Sequence, residues 1–181
     1  MKWPHLCAIW KTFALFSRNS LRRRRKQIAG VVMGTLKIIA GTVYGNAQHV
    51  AEQVEENLAE QGVDCELESD PSVEDFTDAD AILVITSTTG QGDIPPNLEF
   101  VFSDLKDDSP LLKDKPFAVA ALGDSSYGES FCGAGKQFQA LLVELQGTPA
   151  AELLEVDAME TLEPEKDVID WVNSIKDKLI A

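Results

Sequence analysis

Three nearly continuous apolar runs, Thr35 to Ala40, Ala81 to Thr86 and Phe117 to Leu122, constrain this chain more than any other feature. A strand with one face in water alternates apolar and polar residues, whereas a run apolar at successive positions must be covered on both faces. Two weaker stretches, Val63 to Glu68 and Ala151 to Val156, also read as strands. Helical patterns lie between them. Asn46 to Gln61 places Val50, Val54 and Leu58 on one stripe and ends at Gly62. Pro95 to Lys106 and Phe131 to Gln146 follow. Pro164 to Ile180 starts on a proline suited to a first turn and repeats Val168, Trp171, Val172, Ile175 and Leu179 at helical spacing. The crossover from Ser69 to Asp80 is short, with one helical turn at PSVEDF. Strands that alternate with helical crossovers predict an α/β fold, a doubly wound parallel sheet in three layers. With 181 residues, 44% of them apolar, the chain suits one such domain.

Charge divides the chain in two. Residues 1–32 hold eight basic residues and no acid, while the rest holds eight lysines against thirty acids, a net of -22, and no arginine. Such a body repels nucleic acid and anionic membranes and attracts basic partners. The leader has its apolar stretch before its basic run, the reverse of a secretory signal, and Lys11 interrupts that stretch. It reads either as a basic targeting extension or as sequence upstream of a true start at Met33, leaving 33–181 as the domain. Cys7, Cys65 and Cys132 are odd in number and lack metal-ligand spacing, which suits reduced thiols in the cytoplasm.

Ligands of doubly wound sheets sit outside the carboxyl ends of the strands, so the loops there carry the functional information. After the first strand comes GTVYGNA, 41–47, running straight into a helix. Its glycines admit a ligand close to the backbone, and the helix-start amides with Thr42 and Asn46 can surround an anion. The same residues also make an ordinary strand-to-helix turn with Asn46 as N-cap. After the third strand comes the long polar loop Thr86 to Asn97, and after the fourth comes GDSSYG, with Tyr127 among small residues. An aromatic presented there can stack on a planar ring or pack beneath its own loop.

Other chemistries lack their parts. A Gly-Asp-Ser esterase needs a histidine for its serine, but the histidines are His5 and His49 and none follows Ser125. Gly135-Lys136 has Ser130 five positions before Gly135 and Gln137 after Lys136, where a Walker loop needs Gly and Ser or Thr. Cys132 opens a helix, a place that can lower a thiol pKa, though a packed small residue is the simpler reading. His49 reads as a helix surface residue.

GTVYGNA, STTGQGDIPPN and LGDSSYGESFCGAGK resemble the three FMN-binding loops of flavodoxins. The similarity is nearest to MioC-type short flavodoxins and to the FMN domains of diflavin reductases such as the sulfite reductase flavoprotein. It runs from Leu36 to the C-terminus. The resemblance implies a five-stranded parallel sheet in the order 2-1-3-4-5. It also implies FMN, with Thr42, Val43, Tyr44, Gly45, Asn46 and Ala47 around the phosphate. Ser87, Thr88, Thr89 and Gly90 would border the ring and ribityl chain. Leu122, Gly123, Asp124, Ser125, Ser126 and Tyr127 would line the other side, with Phe131 and Cys132 closing the loop. Tyr44 departs from a threonine usual in the family, and the spacing from Tyr127 to Phe131 is one residue longer.

The implied function is a one-electron shuttle between a flavin reductase and an acceptor enzyme. It has no catalytic residue and no metal, and is a cytoplasmic monomer. An FMN-dependent NAD(P)H:quinone-type reductase and a regulatory or assembly protein are the alternatives. No nucleic acid or membrane is expected as a partner of the body. Acids at the open edge, Asp93, Glu99 and Glu129, would orient basic-faced redox partners. The acidic body should also lower the potential at which a bound flavin takes its second electron.

Overall fold

The computed structural model describes residues 34–180, and both expectations for the leader fall outside them. The chain builds β1 (Leu36–Gly41), α1 (Asn46–Glu60), β2 (Cys65–Glu68), α2 (Val73–Thr77), β3 (Ala81–Ser87), α3 (Pro96–Asp108) and β4 (Pro116–Gly123). A 3-10 turn at Ser125–Ser130 leads into α4 (Gly133–Glu144), then β5 (Thr148–Pro149), β6 (Leu154–Asp157) and α5 (Pro164–Leu179). All strand pairs are parallel, and the path across the sheet is β2-β1-β3-β4, with β5 and β6 both on the far side of β4. The order and the three layers are those expected.

Burial on both faces explains the apolar runs. Leu36, Ile38, Ala40, Leu83, Ile85, Ala118 and Ala120 face a core shared with Val50, Val54 and Leu58 of α1 and Val168, Val172 and Ile175 of α5. Ile39, Ile82, Val84, Phe117 and Val119 face the opposite core, with Phe76 of α2, Leu98 and Leu105 of α3, and Phe138 and Leu142 of α4. Burying one such large side chain contributes about 1.5–3 kcal/mol, so the alternation locks the register of every central strand.

One basic residue breaks the apolar pattern of β1. Lys37, whose side chain is 13% exposed, meets Glu66 at 2.9 Å, Asp75 at 3.0 Å and Glu68 at 3.4 Å. Burial alone would lower its pKa, but the Glu66 and Asp75 carboxylates outweigh it and hold the ammonium charged beyond its usual range. Asp75 is also half of a capping box with Ser72 that starts α2.

The fifth strand departs from the expected Ala151 to Val156. Phe117 pairs with Pro149 and Ala120 with Leu154, so three steps along β4 face five along the edge and two residues loop out. Proline has no N–H for the ladder, and pairing stops there and resumes at Leu154. Helix α4 begins at Gly133 rather than Phe131, because the residues after Asp124 first wind into the 3-10 turn.

Candidate functional site

The central strands end in register, Gly41 beside Thr86, Ser87 beside Leu122 and Gly123 beside Asp157. At this edge the loops enclose a cavity of about 700 Å³. That is the size range of small-molecule and cofactor sites.

The loop after β1 forms one end. Thr42 Oγ1 accepts a hydrogen bond from the Gly45 N–H at 2.9 Å, curling the loop onto itself, and Gly45 takes a left-handed φ of +91° before α1. Asn46 is therefore the first helical residue and not the cap, and no side chain caps α1. The first intrahelical bond is from the His49 N–H to the Gly45 carbonyl, which leaves the Asn46, Ala47 and Gln48 amides without helical acceptors. Tyr44 is 93% exposed and projects at the rim.

The loop after β3 is folded by its own side chains. Thr89 and Asp93 form an isolated antiparallel bridge, and the Gln91 N–H donates to Asp93 Oδ2 at 3.2 Å. Gly90 sits at φ +52°, and a Cβ there would lie 2.3 Å from Asp93 Oδ2, so the tight turn requires glycine. Gln137 of α4 donates to the Gly92 carbonyl at 2.7 Å and pins this loop from the side.

The loop after β4 carries Tyr127, which is 68% exposed and lines the cavity. Asp124 Oδ1 accepts from the Ser126 N–H at 2.8 Å, starting the 3-10 turn. Asp157 Oδ1 accepts from the Ser125 N–H at 3.0 Å and the Met159 N–H at 2.9 Å, joining this loop to the one after β6. Hydrogen bonds from the Ser125 hydroxyl and the Met159 amide hold the Asp157 carboxyl below its usual range. Lys136 closes the loop, donating to the Phe131 carbonyl at 2.8 Å and pairing with Glu155 at 2.8 Å. Cys132 is fully buried beneath it with its thiol on the Ala121 carbonyl at 3.3 Å. Burial pushes that thiol up to about 12, helped by the Glu155 charge, so the reading as a packed residue holds.

Most of the sequence-predicted residues of the three loops meet in this cavity. Gly45, Ala47, Ser125 and Ser126 do not line it. Gly45 and Ser126 spend their N–H groups inside their loops, the Ser125 N–H goes to Asp157 of β6, and the Ala47 side chain is buried in the core below α1. The structure adds Pro96, Ser130, Val156, Ala158, Thr161 and Pro164 to the lining. Three of these, Val156, Ala158 and Thr161, belong to β6 and the loop after it, which the carboxyl-edge rule selects as readily as the other three loops, and Pro164 opens α5. His49 is exposed on α1, as expected.

The donor set is specific in kind. Among the described residues no lysine, arginine or histidine lines the cavity, whose polar groups are hydroxyls, an amide, backbone and the Asp124 carboxylate beside the rings of Tyr44, Tyr127 and Phe131. Such a set suits a ligand with a flat polar ring at Tyr127 and an anionic end at the uncapped start of α1.

Comparison with known proteins agrees with this geometry. The family model described as Flavodoxin matches residues 38–171, and the chain belongs to the flavodoxin family. Flavodoxin YqcA of Escherichia coli is 42% identical over 142 residues, which cover 77% of this chain and 95% of that protein. Protein MioC of Escherichia coli is 32% identical over 142 residues, 78% of this chain and 96% of that protein, in keeping with the expected likeness to MioC-type short flavodoxins. The structure of a cysteine-to-serine variant of flavodoxin from Pseudomonas aeruginosa aligns with a TM-score of 0.75 at 35% identity, covering 80% of this chain and 98% of that one.

Proposed function

We propose that this chain is an electron carrier that holds FMN in the cavity at the carboxyl edge of its sheet. One observation carries the reading: the cavity joins an uncapped helix start, at Asn46, to an exposed aromatic, Tyr127, through neutral donors. Thr42, Asn46 and the free amides of α1 would hold the phosphate; Ser87, Thr88 and Thr89 would border the ring and its chain; Tyr127 would cover the ring. FMN supplies electron transfer one electron at a time. The protein binds it, orients it and sets the charge around it.

The same reading extends to partners and place. Asp93, Glu99 and Glu129 are exposed, and Glu129 stands two residues from Tyr127. These acids would orient basic-faced partners, a flavin reductase upstream and an acceptor enzyme downstream, in the cytoplasm, with the carrier a monomer. Among the described residues no helix is long and apolar enough to cross a membrane.

The test is a visible absorption spectrum of the purified full chain after incubation with FMN and removal of free ligand, followed by a reductive titration. We expect one flavin retained, with its second one-electron potential below that of free FMN. Repulsion of about 1.4 kcal/mol corresponds to roughly 60 mV for one electron, so a few screened carboxylates are enough to register. A protein that retains no flavin would overturn the reading.

A further inference from the structure

Asn97 lies in the first turn of α3 and does not line the cavity, yet its amide bonds Thr42, which does. Its Nδ2 donates to the Ala40 carbonyl at 2.8 Å and to the Ser69 carbonyl at 2.7 Å. Its Oδ1 accepts from the Thr42 N–H at 3.0 Å. Two carbonyls demand the amino end and one N–H demands the oxygen, so the orientation of the amide is determined by its partners. These three groups come from the end of β1, the residue after β2 and the first residue of the loop that precedes α1.

The bond to Thr42 does more than satisfy a donor. It sets the direction in which the chain leaves β1, and Thr42 then accepts the Gly45 N–H that turns the backbone into the uncapped helix. Asn97 is itself held by a rigid approach, since Pro95 precedes α3 with φ -59° and Pro96 is its first residue. No other natural side chain of this size offers two donors and an acceptor on one plane.

We infer that Asn97 is a positioning residue for the anion-holding half of the site: it fixes the Thr42–Asn46 loop in its binding shape and so determines affinity for the phosphate end of the ligand without touching it. The inference rests on the flavin reading and assigns a separable part of that binding to one residue. Removing the amide takes this partner away from the Thr42 N–H and from the Ala40 and Ser69 carbonyls, while Tyr127 and the loop after β4 keep their own contacts.

The experiment compares FMN with riboflavin, which has the same ring and lacks the phosphate. Both are titrated by flavin fluorescence against the full chain and against Asn97→Ala and Asn97→Ser. In the variants we expect FMN affinity to fall about tenfold or more while riboflavin affinity stays within about threefold. A parallel fall in both, or no change in either, overturns the inference and leaves the flavin reading standing. Loss of folding in both variants makes Asn97 a residue of general stability and also overturns it. A wild-type chain that binds neither flavin overturns the flavin reading itself.

Discussion

Cys132 occupies a left-handed backbone position at φ +55°, caps the start of α4 and points its thiol into the core. Helix starts can activate thiols, but here desolvation wins, because the side chain is fully buried with the Ala121 carbonyl as the thiol's acceptor. We expect the native protein to leave Cys132 unmodified by a thiol alkylating reagent at pH 8 and to react fully once unfolded, with mass spectrometry as the readout. Because the folded pKa is raised, the buried thiol stabilises the fold below about pH 9, and this contribution is lost as pH rises toward 12. Gly133, the next residue, is a second point of constraint. A Cβ there would lie 2.6 Å from the Gly92 Cα, backbone against backbone, so Gly133→Ala must push the loop after β3 away from α4. Overpacking of this kind costs about 1–3 kcal/mol. A drop in the urea midpoint together with weakened FMN binding is the expected result.

At the level of elements, the Lys37 cluster ties β1, β2 and α2 together through charge. The Lys37 pKa is raised, so its contribution is complete below the unfolded value near 10.5 and lost as pH rises through the folded one. Asp75 is the opposite case: burial opposes ionisation, but the Ser72 amide and Lys37 prevail and hold its pKa down. Its contribution is complete above the unfolded value near 3.8 and lost as pH falls through the folded one. Lys37→Met should therefore lower the urea midpoint by a constant amount between about pH 5 and 10, and the gap to wild type should close below about pH 4. A gap that does not vary down to pH 2 would remove the electrostatic account.

The elements also show what a sequence can announce. FAVAAL is legible as a central strand because both its faces are buried, and the loops at 41–47, 87–97 and 122–136 are legible because small and hydroxylic residues collect at strand ends. The divided edge strand is not, since the two residues Thr148–Pro149 carry no periodicity to read. The loop after β6 lacks glycines and looks like an ordinary connection, though Ala158 and Thr161 face the cavity. Asn97 resembles any polar residue in a first helical turn; its partners lie 28, 55 and 57 residues away in sequence, and only the folded sheet brings them together.

For the molecule as a whole, the eight lysines and thirty acids that follow residue 32 set a strongly negative field on everything approaching the cavity. FMN arrives as an anion and must cross that field, and among the described residues no cation lines the site to draw it in. Its association rate should therefore rise with salt, severalfold between about 10 and 200 mM, as the Debye length shrinks. Association with a basic redox protein should slow over the same range, because the same charges attract it. Stopped-flow measurements on the two reactions give opposite slopes if one field governs both.

The interrupted pairing along β5 and β6 also bears on crowding. An open strand edge is a template on which a second sheet can grow, and among the described residues this sheet has two such edges. One is broken by Pro149 and the looped-out residues that follow it. The other is the four-residue β2, which carries Glu66 and Glu68. Among the described residues neither edge presents a long flat ladder to a neighbour, so edge-to-edge growth of the sheet finds no ready template there.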